Sequence, residues 1–161
     1  MNKADIINLV NAGVPGITNL TLDGKHAYKV LKFRRALIAV HGQIRDEFSA
    51  IFKEAGIEDP QAFDKELAEL REKAKPYTDV GKEIPAEIGE RLMKAEATFA
   101  RYKALEGEML KDEVKLDCVP MPYEDFHALQ KENEKTCPAL THGYVEDVLE
   151  GVLWVAPNEV D

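Results

Sequence analysis

Three observations predict a mainly α-helical fold for this chain of 161 residues. Residues 23–56 place Val30, Phe33, Leu37, Val40, Ile44, Phe48 and Ile51 at spacings of three and four, one apolar stripe along a helix of about nine turns. Residues 84–114 repeat the pattern with Ile88, Leu92, Ala95, Phe99, Tyr102 and Met109, close to a heptad seam that Glu106 interrupts. Strand character is confined to two short stretches, ITNLTL and VKLDCVPMP. A long apolar stripe must be covered, so the two long helices are expected to pack antiparallel. The predicted architecture is an antiparallel long-helix hairpin or bundle with a small two-stranded α+β cap. A single domain over 1–161 is expected, with a helical body at 23–112, a cap from 1–22 and 113–155, and a frayed tail at 156–161.

The elements follow in order. Residues 4–12 crowd Ile6, Ile7, Leu9 and Val10 on one side of a short helix that Gly13, Pro15 and Gly16 break. ITNLTL alternates and holds β-branched residues, which suits a strand or extended lead-in. The following Asp23-Gly24 is read as a helix start rather than a hairpin turn, because the three-four pattern begins at once and runs unbroken to Ile51. Asp23 can accept from the first free N–H groups, and Gly56 can supply the left-handed residue that ends the helix. Asp59-Pro60 then opens a shorter helix: a capping carboxylate precedes a proline where the missing N–H costs nothing. Phe63, Leu67 and Leu70 line it, and Pro76 is expected to stop it after Lys75.

At Val114 the period changes to two. Val114, Leu116 and Cys118 alternate with Lys115 and Asp117 until Pro120 and Pro122, an edge strand that could pair with ITNLTL. YEDFHALQKENE is a short helix with Phe126 and Leu129 inward, CPALTHG a loop, and YVEDVLEGVLWV a last helix carrying Val145, Val148, Leu149 and Val152, with Trp154 after it.

Charge narrows the function classes. A formal net charge of −9 argues against broad binding to nucleic acid, which depends on neutralising phosphates with Lys and Arg. No apolar run approaches the ~20 residues needed to span a bilayer, and the N-terminal stretch, interrupted by Asp5 and Asn8, is not a credible signal peptide. Two cysteines, Cys118 and Cys137, give no disulfide framework, and a cytoplasmic setting is the default expectation. The charge is also uneven. Lys25, Lys29, Lys32, Arg34 and Arg35 make the head of the long helix basic, whereas from Glu124 onward Glu124, Asp125, Glu132, Glu134, Glu146, Asp147, Glu150, Glu159 and Asp161 stand against only Lys131 and Lys135. Either these are two solvated faces, or they meet within the chain or between copies.

The order of the pieces carries a resemblance. LDGKHAYKVLKFRRAL at the head of a long charged helix, with Lys25, Ala27, Tyr28 and Lys29, is followed by a second long helix running into Glu108, Leu110, Glu113, Val114 and Leu116. A proline-bearing strand and an acidic tail come next. This resembles a group of small proteins of unassigned function encoded by tailed bacteriophages and prophages, over roughly residues 20–150. The segment DPQAFDKELAELREKAKP departs from the group's pattern and lengthens the helical part. The matching residues belong to helix seams and a strand, so the resemblance implies a phage or prophage context, in the host cytoplasm or the virion, and no catalytic residue.

No constellation announces a chemistry. Cys118, His127, Cys137 and His142 are zinc-type ligands, but their separations of nine, ten and five match no common finger or ribbon. Cys118 lies on the apolar face of its strand, where a thiol needs no special role. His41 reads as the edge of a packing seam. Glu108, Asp112 and Glu113 cluster at a helix end, where acidic residues are usually solvated. Ser49, the only serine, has no glycine-flanked elbow, and no glycine-rich phosphate loop is present. No cofactor, metal or catalytic residue is therefore assigned. Two functions are expected. One is protein–protein interaction in phage assembly, as a scaffold, chaperone or connector, with a phage structural protein or a second copy as partner. The other is inhibition of a host nuclease or defence protein, with the acidic residues mimicking DNA. Candidate interaction residues are Lys29, Lys32 and Arg35 on the helix and Glu124, Asp125, Glu146, Asp147 and Glu150 in the tail. Mimicry requires those carboxylates to share an exposed face.

Overall fold

A computed structural model describes residues 1–17 and 24–156, apart from the side chain of Lys25. The fold is mainly helical, with a two-stranded sheet. In chain order the described elements are α1 (Lys3–Asn11), a 3-10 turn (Val14–Gly16), α2 (Gly24–Ala55), α3 (Pro60–Thr78), α4 (Ala86–Met109), β1 (Met121–Pro122), α5 (Tyr123–Glu132), a 3-10 turn (Pro138–Thr141), α6 (Gly143–Leu149) and β2 (Trp154–Val155). They form two compact units. One is Asp46–Met109; the other joins Met1–Arg45 to Leu110–Asp161. The division thus falls within α2, whose first turns group with the cap segments rather than with the helical body.

In the unit Asp46–Met109, local chemistry sets the end of α2 and both ends of α3. Gly56 adopts φ 90°, and Ile57 N–H donates to Phe52 O (2.8 Å) while Gly56 N–H donates to Lys53 O (3.0 Å), the paired bonds of a glycine-terminated helix. The Asp59 carboxylate accepts from the N–H groups of Gln61 and Ala62 at 3.0 and 3.1 Å, and Pro60 occupies the first turn of α3 as expected. Pro76 does not stop α3. The helix runs on to Thr78 and ends at Gly81 (φ 65°), with Lys82 N–H on Tyr77 O and Gly81 N–H on Thr78 O. A proline in the last turn forfeits one bond, and the glycine beyond it supplies the real terminus.

The seam of α4 packs on α3. Leu67, Leu70 and Ala95 are buried together, with Phe63, Ile88, Leu92 and Phe99 against them. The sequence predicts α2 as the cover for this seam. Here α3 covers it, and α2 reaches α4 through Phe52, stacked on Tyr102 at 4.5 Å between ring centroids. Two exposed ion pairs, Arg71–Glu96 and Arg91–Glu66, both 2.7 Å, join α3 to α4 and add little to the burial.

In the other unit the core comprises Ile6, Leu9, Val14 and Ile17, the α2 residues Val30, Phe33, Leu37 and Ile44, and Met121, Phe126, Leu129, Leu140, Leu149 and Leu153. Asn2 and Asp5 form a capping box at the head of α1. The same segment is tied to the residues that follow Met109, with Lys3 N–H on Asp112 O (3.1 Å), Val114 N–H on Met1 O (2.9 Å) and the Lys3–Asp112 ion pair at 2.9 Å.

The sheet differs from the expectation. Residues 114–120 keep the period-two alternation, with Val114, Leu116 and Cys118 partly buried and Lys115, Asp117 and Val119 exposed, but they form no ladder with the described residues. Pairing starts at Met121–Pro122, parallel to Trp154–Val155. Prolines 120 and 122 lack N–H groups, so Met121 N–H, donating to Leu153 O at 2.8 Å, supplies the inter-strand bond. Side chains of α2 hold the extended stretch instead: Lys29 Nζ donates to Pro120 O at 2.6 Å, and Lys32 pairs with Asp117 at 2.9 Å. Most of ITNLTL, the strand expected to pair here, lies outside the described residues, as do 157–161 of the tail. The last helix also ends earlier than expected. Gly151 takes φ 71° after α6 and turns the chain so that Trp154 enters the sheet.

Candidate functional site

Two surface features stand out from the core geometry. The first is the outer face of α2. Opposite the buried Val30–Phe33–Leu37–Ile44 stripe, Tyr28, Leu31 and Ile38 are 64%, 37% and 53% exposed. With Arg35 and Gly42 they occupy spacings of three, four, three and four, which places them on one helix face. A helix whose two opposite faces both carry large apolar side chains has one covered and one facing water.

The three basic candidates divide on this helix. Lys29 and Lys32 are occupied by Pro120 O and Asp117 respectively, and the Asp117 hydrogen bond raises the pKa of Lys32. Arg35 is exposed within the apolar stripe. Arg34, half-buried beside it, holds a buried Nε that has no hydrogen-bond partner among the described residues.

The second feature is a hollow of about 430 Å³ between α5, the Pro138–Thr141 turn and α6, lined by Tyr123, His127, Gln130, Lys131, Glu134, Thr141 and Glu146. Its wall is built around Glu146. Tyr123 Oη donates to Glu146 Oε1 at 2.9 Å, and Gln130 Nε2 donates to Leu140 O at 2.7 Å and to Glu146 Oε2 at 3.3 Å. Trp154 Nε1 donates to the backbone carbonyl of Glu146 at 3.1 Å. Gln130 is 4% exposed, and its Oε1 faces His127 Nδ1 at 3.2 Å. The rings of Tyr123 and His127 stack, and Trp154 stands edge-on to Tyr123 at 4.9 Å. The hydrogen bond to Glu146, aided by burial, holds the Tyr123 phenol above its ordinary pKa.

The five tail carboxylates do not act alike. Asp125 lies 3.3 Å from His26 on α2, and Glu146 turns into the hollow, whereas Glu124, Asp147 and Glu150 are exposed. The zinc-type residues do not assemble: Cys137 is buried with its thiol on Gly13 O at 3.4 Å, and Cys118 is partly buried near Lys32. Burial raises both thiol pKa values, which disfavours thiolate. Among the described residues no group of three His, Cys, Asp or Glu side chains is placed to hold a metal ion. At the end of α4, Asp112 is used by Lys3 and Glu113 bridges to Asn2 through its backbone. No described helix is long and apolar enough to cross a membrane.

Sequence reasoning singled out Glu146 but missed Tyr123, Gln130 and Thr141. A signal existed. Tyr123, His127, Gln130 and Glu134 recur at spacings of four, three and four, a polar stripe beside the apolar Phe126–Leu129 face of α5. Compared with protein-family models, with curated proteins and with solved structures, the chain finds no match.

Proposed function

We propose that this chain is a non-enzymatic interaction protein that docks another protein on the outer face of α2, in the assembly of a phage or prophage. The observation that carries the reading is the exposed stripe of Tyr28, Leu31 and Ile38 opposite a fully buried stripe on the same helix. Fully burying an exposed Leu or Ile side chain contributes roughly 1.5–3 kcal/mol, and covering Leu31 and Ile38, 37% and 53% exposed, would each contribute a fraction of that beside Tyr28. Arg35 within the stripe favours an acidic counterpart, and Glu124, Asp147 and Glu150 of a second copy would provide one. A second copy is therefore the first partner to test. The phage setting rests on the resemblance around Lys25–Lys29 and Glu108–Leu116 alone.

Inhibition by DNA mimicry has weaker support, because Asp125 and Glu146 are engaged inside the chain and only three of the five carboxylates remain exposed. The test is molar mass by light scattering at low and high salt, for the wild type and Ile38→Glu. A discrete oligomer that survives high salt and becomes monomeric in the variant supports apolar docking on α2. A wild-type monomer at both salt concentrations, or an oligomer indifferent to Ile38→Glu, overturns it.

A further inference from the structure

The hollow beside α5 holds a carboxylate that belongs to none of the described ion pairs. Glu146 is half-buried and accepts from two neutral donors, Tyr123 Oη and Gln130 Nε2. A carboxylate withdrawn from water is ordinarily paired with a cation. Each of its oxygens accepts a single bond, and a carboxylate offers about four lone-pair positions, so roughly two remain directed away from those donors. A second carboxylate, Glu134, stands on the rim, and the stacked Tyr123 and His127 rings form an aromatic wall.

We propose that this hollow binds a guanidinium group, as a free alkylguanidinium or as the arginine side chain of a peptide. The planar fork of N–H donors matches two parallel acceptor positions on one carboxylate, and the flat delocalised cation packs on an aromatic face. A primary ammonium offers neither the fork nor the plane. Lys131 on the rim is the opposing charge and sets an upper limit on affinity. Gln130 acts as a positioning residue: buried, and fixed to Leu140 O, it keeps Glu146 turned into the hollow.

Trp154, the single tryptophan, reports on the site because its indole N–H binds the Glu146 backbone and its ring abuts Tyr123. The experiment titrates the full chain with butylguanidinium, butylammonium, acetyl-Gly-Arg-Gly-amide and acetyl-Gly-Lys-Gly-amide at millimolar concentrations, following Trp154 fluorescence. Saturable binding of the guanidinium probes, at least about tenfold tighter than the ammonium pair, is expected. Tighter binding of the arginyl peptide than of butylguanidinium assigns the site to a protein arginine; the reverse assigns it to a free guanidinium compound. Glu146→Gln, which retains an acceptor for Tyr123, should weaken binding about tenfold or more, and the exposed Lys131→Gln should tighten it about two- to threefold. No saturable change, equal binding of butylammonium, or binding unaltered in Glu146→Gln overturns the proposal. If Glu146→Gln fails to fold, Lys131→Gln decides alone: unchanged or weaker binding in that variant overturns it as well.

Discussion

Replacing Gln130 with Glu tests the electrostatics of the α5–α6 region directly. The substitution changes one amide to a carboxyl in a side chain that is 4% exposed, 3.3 Å from a Glu146 oxygen. With both groups ionised, two unit charges at 3.3 Å repel by about 5 kcal/mol at an effective dielectric of ~20. The introduced carboxylate also loses the donor that satisfies Leu140 O. Relaxation and water entry absorb part of this, leaving an expected loss of about 2–4 kcal/mol at pH 7. The sign of the pH dependence follows from linkage. The introduced carboxyl has an ordinary pKa of about 4.3 in the unfolded chain and a raised one in the folded protein. Its penalty is therefore absent below about pH 4, grows as pH rises through that value, and is complete above the raised folded pKa. Gln130→Leu is the control. It leaves Leu140 O and one Glu146 oxygen short of a donor, costing about 1–3 kcal/mol without acid recovery. Urea unfolding followed by Trp154 fluorescence, each variant against wild type at the same pH, should show the Gln130→Glu midpoint about 1–2 M lower at pH 7 and most of that loss recovered at pH 4, short of wild type by the one donor that a protonated carboxyl lacks. A Gln130→Glu protein as stable as wild type at pH 7, or equally impaired at both pH values, would refute the placement of Gln130 against Glu146.

Two other predictions concern Asp46–Met109. Asp59→Ala removes the side-chain acceptor for Gln61 and Ala62 N–H groups and should cost about 1 kcal/mol in urea unfolding, while Asp59→Asn should retain most of the stability. Tyr102 Oη donates to Glu106 Oε1 at 2.8 Å, and burial, followed by that hydrogen bond and the nearby carboxylates of Glu106 and Asp64, pushes its phenol well above the usual range. The stability this contributes is complete below the unfolded tyrosine value of about 10 and is lost as pH rises through the folded one, so Tyr102→Phe should flatten the decline of stability above about pH 10 while preserving the ring stack on Phe52.

What the sequence made legible was local. The capping residue Asp59, the terminal glycine Gly56, the α2 stripe and the inward pair Phe126 and Leu129 are each specified by neighbours within a few positions, and each appears as read. Partner choice was less legible. The α4 seam could be covered by any apolar helix, and the periodicity of α2 and α3 does not distinguish them. The strand stretch keeps its alternation without pairing to any described residue, and the Lys29 and Lys32 contacts that reach it from α2, across 85 or more positions, leave no local pattern. The hollow was half visible. Its α5 residues share a spacing, but the arrival of Glu146 and Trp154 depends on the turn at Gly151, which a continuous apolar pattern through Val152 had masked.

The two units have different connectivities, with a consequence for synthesis. Asp46–Met109 is one uninterrupted stretch, so α3 and α4 can close on each other as soon as both have left the ribosome. The other unit is discontinuous. Val30, Phe33 and Leu37 emerge early, but the Met121, Phe126 and Leu153 core belongs to residues made after position 109. For most of the time that the chain is being made, that apolar face lacks the part of its native core that follows position 109, and a slowed or truncated translation product would expose it to aggregation. Ribosome-bound chains arrested before Met121 should therefore recruit chaperones through α2, whereas chains that extend past Val155 should release them.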